Sequence, residues 1–86
     1  MGKDVEVAIL FADVVGSTQL YEQLGDDKAR EMVGRCLVIM REATESSGGT
    51  VIKTMGDEVM STFPTADDAM SAARRMQERI STAPDL

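Results

Sequence analysis

Thr50-Val51-Ile52-Lys53-Thr54-Met55-Gly56-Asp57-Glu58-Val59-Met60-Ser61-Thr62-Phe63 is the stretch that decides the fold. Two runs rich in β-branched residues, 50 to 55 and 58 to 63, flank the pair Gly56-Asp57, and so short a Gly-Asp connection reads as a β-hairpin. Pro64 closes the second strand. Upstream, Gly48-Gly49 stops a long helix whose N-cap is Asp26 or Asp27. Its apolar residues Ala29, Met32, Val33, Cys36, Leu37, Met40 and Ala43 recur at helical spacing. Downstream, Thr65-Ala66-Asp67-Asp68 has capping-box spacing, with Asp where Glu or Gln is usual. A last helix follows with the face Ala69, Met70, Ala73, Met76 and Ile80, and Pro84 lies beyond its end.

At the other end of the chain Val5, Val7, Ile9 and Phe11 fall at period two while Ala8, Leu10 and Ala12 fill the alternate positions. Residues 5 to 12 therefore predict a strand covered on both sides and central to the core. It stops at Asp13-Val14-Val15-Gly16-Ser17-Thr18, where Gly16 permits a turn and Ser17 or Thr18 caps a short helix over residues 19 to 24, ended by Gly25. The order is β-α-α-β-β-α, an α+β unit with a three-stranded sheet and helices on one face. It is the opening of the ferredoxin-like β-α-β-β-α-β arrangement, with the final strand absent.

Eighty-six residues make one domain with one core, and no repeat, linker or low-complexity segment divides them. Hydrophobic residues at 43% and charged residues at 28% fit a folded module rather than a disordered tail. No apolar run is long enough to cross a bilayer, and Met1-Gly2-Lys3-Asp4 lacks the layout of a secretion signal, so a cytoplasmic location is expected. A net charge of -6 argues against nucleic acid, whose binders concentrate positive charge. The single Cys36 excludes an internal disulfide, and the absence of histidine excludes the usual zinc, haem and Ser-His chemistries. Any metal must then be held by oxygen.

Two acidic residues stand out by position, Asp13 at the end of the first strand and Asp57 in the hairpin turn. Should the first strand lie antiparallel beside the hairpin, both carboxylates meet at one sheet edge. Their repulsion would raise one pKa or demand a cation such as magnesium, which takes one or two carboxylates plus substrate phosphates. Gly16-Ser17-Thr18 opens a helix, where free backbone N–H groups favour an anion. Singly, each feature has a local explanation: Asp and Gly serve turns, Ser and Thr start helices, and Lys53 between Ile52 and Thr54 is a solvated strand residue. Cys36 and the helically spaced methionines read as core filling.

In combination the motifs resemble those of the class III nucleotide cyclases. The run 8 to 18, Ala-Ile-Leu-Phe-Ala-Asp-Val-Val-Gly-Ser-Thr, is similar to that family's first strand and metal loop; residues 48 to 60 resemble its hairpin, and 66 to 76 its alanine-rich helix. The resemblance covers nearly the whole chain and identifies residues 1 to 86 as a single truncated or minimal cyclase homology domain. It implies that Asp13, Asp57 and the backbone carbonyl of Val14 hold two Mg2+ or Mn2+ ions. Gly16, Ser17 and Thr18 would bind phosphate and Lys53 would read the purine, a lysine there favouring adenine. The parent chemistry that the resemblance implies is ATP to cyclic AMP plus pyrophosphate in cyclic-nucleotide signalling, with each site assembled across a dimer.

The family domain is much longer than 86 residues, and its second half supplies a further purine-reading residue and the asparagine and arginine that steady ribose and transition-state phosphate. Arg74, Arg75 and Arg79 match none of these and read as a solvated helix face. Loss of one preorganised donor typically costs about a hundredfold or more in rate, so no complete catalytic set is expected. Two readings remain open: the leading half of an adenylate cyclase domain, inactive alone, and a degenerate module for homodimerisation or signal relay. A diguanylate-type domain ranks behind both, because Met55-Gly56-Asp57-Glu58 carries one glycine in its turn rather than two. Without a last strand, residues 5 to 12 form an open apolar edge. A homodimer paired through it, or membership of a longer protein, is the expectation.

Overall fold

The computed structural model describes residues 7–14 and 16–83. Strand β1 (Ala8–Asp13) leads into helices α1 (Ser17–Leu24) and α2 (Asp26–Ser46), then strands β2 (Thr50–Met55) and β3 (Glu58–Phe63), and helix α3 (Ala66–Thr82). The sheet order is β1-β3-β2, antiparallel throughout, with Ala8 opposite Phe63 and Asp13 opposite Glu58. This is the expected α+β arrangement, and both hairpin strands and their Gly56-Asp57 turn fall where the β-branched runs place them. Residues 5 and 6, the start of the expected first strand, and Pro84 lie outside the described residues. No described helix is long and apolar enough to cross a membrane.

The core lies between the sheet and the helices α2 and α3. Val59, Ser61 and Phe63 alternate inward along β3 and meet Met40 and Ala43 of α2 and Ala69, Ala72 and Met76 of α3. Ala8, Leu10 and Ala12 of β1 border this cluster, half-buried. Two buried polar groups find partners: the Thr44 hydroxyl donates to the Met40 carbonyl one turn back at 2.8 Å, and that of Ser61 to the Leu10 carbonyl of the neighbouring strand at 3.5 Å. At the edge of the core the Arg79 guanidinium donates to the Glu42 carboxylate at 2.8 Å, an exposed pair worth little against salt. Gly49 packs so closely under Phe63 that a Cβ there would run into the ring.

Several local expectations give way to the geometry. β1 is covered on one face only. Its alternate residues Ile9 and Phe11, and Val7 just before it, are exposed, because no second layer lies over that side among the described residues. Met70 is exposed rather than part of the inner face of α3; Ala72 takes its place, since the helix turns the 69-72-76 line toward the sheet. Helix α2 is N-capped by Gly25, with Asp26 and Asp27 inside its first turn, where their charges suit the helix dipole. Helix α1 starts at Ser17 behind Gly16, which sits at φ 81 and supplies no side-chain cap. Thr65 caps α3 as its spacing predicts, its hydroxyl accepting from the Asp68 N–H at 3.1 Å.

Candidate functional site

The antiparallel pairing of β1 with β3 carries Asp13 to the end of the sheet at which the hairpin turns. One residue beyond the strand, the Val14 N–H donates to the Asp57 carbonyl at 2.9 Å, which extends the ladder into the turn. Asp13 and Asp57 therefore stand on adjoining backbone, Asp13 exposed and Asp57 half-buried. Gly56 at φ 54 makes the turn that presents Asp57, and half-buried Val14 anchors the loop against the core.

The loop after β1 also reaches the turn through a side chain. The Ser17 hydroxyl, at the first position of α1, donates to Asp57 Oδ2 at 2.7 Å across forty residues of sequence. A hydroxyl has one proton to donate. A phosphate could receive that hydrogen bond from Ser17 only once this one opens. Thr18 is exposed, and Gly16 takes the left-handed conformation that turns the chain from Asp13 into α1.

Glu58 is a neighbour that the sequence reading missed. It lies directly opposite Asp13 on the same sheet face, and like charges so placed repel. Its signal was the register itself, because an antiparallel strand meeting this turn must put some residue of β3 opposite Asp13. Among the described residues no group of three acidic, cysteine or histidine side chains converges as a metal cage. The residues here that could hold a metal are Asp13 and Asp57 with the Val14 carbonyl, a sparse oxygen set that would suit magnesium with phosphate oxygens completing its shell. Neither carboxylate has a basic partner among the described residues, so the pair fits a hard divalent ion by its chemistry.

Lys53 is placed differently. It lies on β2 opposite Met60, which is opposite Phe11, so the three make one row across the open face. The next row toward the turn is Asp13, Glu58 and Met55. Lys53 thus stands two strands across and one row along from Asp13. The carboxylate edge is not enclosed. A groove of about 270 Å³ along β1 includes Asp13 with Leu10, Phe11, Met76 and Ile80, while a larger one of about 400 Å³ lies on the outer side of α2 and α3, lined by Val38, Ile39 and Arg79. Cys36 is buried away from this edge; desolvation pushes its thiol pKa up, with Arg35 opposing, as befits a core residue.

Comparison with known proteins agrees with this layout. Residues 1–80 match the family model of the adenylate and guanylate cyclase catalytic domain. An adenylate cyclase of Streptomyces coelicolor is 36% identical over 70 residues, covering 81% of this chain and 18% of that protein. Adenylate cyclase 2 of Rhizobium meliloti is 34% identical over 59 residues, covering 69% of this chain and 16% of its own length. Among solved structures, a bacterial light-regulated adenylyl cyclase superposes with a TM-score of 0.67 at 30% identity, covering 90% of this chain and 24% of that one. The chain spans less than a fifth of the length of these two curated relatives. With its motifs, its sheet order and these likenesses in agreement, the chain belongs to the family of adenylate and guanylate cyclase catalytic domains.

Proposed function

We propose that these residues form the metal-binding half of an adenylate cyclase site, working on ATP in the cytoplasm as part of cyclic-nucleotide signalling. The observation that carries this reading is the junction of β1 with the hairpin turn, where the Val14 N–H to Asp57 carbonyl bond sets Asp13 and Asp57 side by side. Asp13, Asp57 and the Val14 carbonyl would hold two Mg2+ or Mn2+ ions. When bound, such ions neutralise polyphosphate charge and activate the ribose 3′-hydroxyl toward the α-phosphate, giving cyclic AMP and pyrophosphate. The chain's own groups bind and orient: the residues Gly16, Ser17 and Thr18 face the phosphates from the start of α1, and Lys53 donates to the adenine ring.

The position of Lys53 supports a site shared between two chains. Two strands separate it from Asp13 within one copy, and on the family's pattern one copy's lysine and another's aspartates serve one nucleotide. The outer edge of β1 has no strand partner among the described residues, and Ile9 and Phe11 are exposed beside it, which favours a homodimer paired through residues 5 to 12; that pairing leaves both β2 strands outermost, so it is a contact separate from the shared site. The asparagine and arginine that the family brings to the transition state have no counterpart in these 86 residues, so binding is expected here without turnover. The same exposed residues favour the second reading, a module that dimerises or relays a signal with its aspartates idle.

Calorimetric titration with a non-hydrolysable ATP analogue in Mn2+ separates the two. The cyclase reading expects binding that Asp13→Ala and Asp57→Ala each abolish. Equal heats from all three proteins would leave the dimerisation module standing.

A further inference from the structure

Ser17 is a serine at the start of a helix whose hydroxyl does not cap that helix. Gly16 occupies the N-cap of α1 at φ 81, and no side chain caps the helix. The Ser17 hydroxyl instead crosses to the hairpin turn and donates to Asp57 Oδ2 at 2.7 Å, an ordinary hydroxyl-to-oxygen length. The main chain of the same loop grips Asp57 a second time, through Val14 N–H to its carbonyl at 2.9 Å. Asp57 is therefore fixed at backbone and side chain by the very segment that begins with Asp13.

An unrestrained aspartate at a turn samples several rotamers, and an ion must order it on binding. With Oδ2 held by Ser17, the carboxylate is already oriented and Oδ1 is left without a hydrogen-bond partner among the described residues. We infer that Ser17 is a positioning residue: its hydroxyl holds Asp57 ready for a divalent cation, a task distinct from donating to phosphate. The inference rests on the metal reading given above. Groups that orient ligating side chains in this way typically change metal affinity by about 10–100-fold when removed.

The two roles predict different behaviour toward the metal alone. Free Mn2+ can be counted by its electron paramagnetic resonance signal, without nucleotide, for the wild-type chain, Ser17→Ala, Ser17→Thr and Asp57→Ala. Positioning expects Ser17→Ala to weaken Mn2+ by about tenfold, Ser17→Thr to stay within about threefold of wild type, and Asp57→Ala to lose binding. Wild-type affinity in Ser17→Ala overturns the assignment and leaves the metal site intact, as does equal weakening by Ala and Thr. Absence of Mn2+ uptake by the wild-type chain overturns the metal reading itself and the Ser17 role with it. Should circular dichroism show Ser17→Ala unfolded, Ser17→Cys, close in size and a poor donor, is judged by the same tenfold criterion.

Discussion

The helix-covered face of the sheet holds Val59, Ser61 and Phe63 at no more than 1% exposure, whereas the opposite face leaves Ile9 at 54% and Phe11 at 60%. Both faces carry large apolar residues in the same period-two pattern. What separates them is the second layer: α2 and α3 complete one face, and the described residues place nothing over the other. The covered face accounts for stability. The open face and the carboxylates at its end offer what a folded core cannot, accessible apolar surface beside accessible charge.

Substitution can break or sharpen this contrast. Phe63→Ala removes the largest buried side chain and should cost about 3–5 kcal/mol in urea unfolding, a large share of the stability of a domain this small. Gly49→Ala tests the same packing from beneath, since the methyl must displace the Phe63 ring; a loss of about 1–3 kcal/mol is expected. Thr65→Ala should cost about 1 kcal/mol by removing the cap of α3, read as a lower thermal midpoint. On the open face, Phe11→Thr should leave unfolding within about 0.5 kcal/mol of wild type. Its effect should appear in sedimentation, as weaker self-association. A Phe11 variant as unstable as Phe63→Ala would erase the distinction between the faces.

The hairpin was legible because its evidence is local. β-branched runs and a Gly-Asp turn specify strands and connection without reference to anything distant, and Thr50–Met55 and Glu58–Phe63 match the expectation. The periodicity of α2 was likewise readable, with Ala29, Val33, Cys36, Met40 and Ala43 all buried. Coverage of β1 was not. Alternating apolar residues on both faces of a strand show what it could bury, not what lies above it, so Ile9 and Phe11 were expected inside. The carboxylate pair was legible as a consequence of antiparallel pairing. Glu58 and the Ser17 bond to Asp57 were not, since both depend on register and on the left-handed turn at Gly16, which fix positions to a single residue.

The strand order β1-β3-β2 also sets the order in which the site can assemble. β2 and β3 meet across a two-residue turn, but the contact of Ser61 with Leu10 spans 51 positions. Closing a loop costs about 0.6 kcal/mol more for each doubling of its length, a charge on β1 that the hairpin escapes. Hydrogen exchange should therefore find the β1 amides opening more readily than those between β2 and β3. Asp13 arrives beside Asp57 with the most entropically demanding contact of the sheet, so the two carboxylates are brought together late in folding and parted early in unfolding.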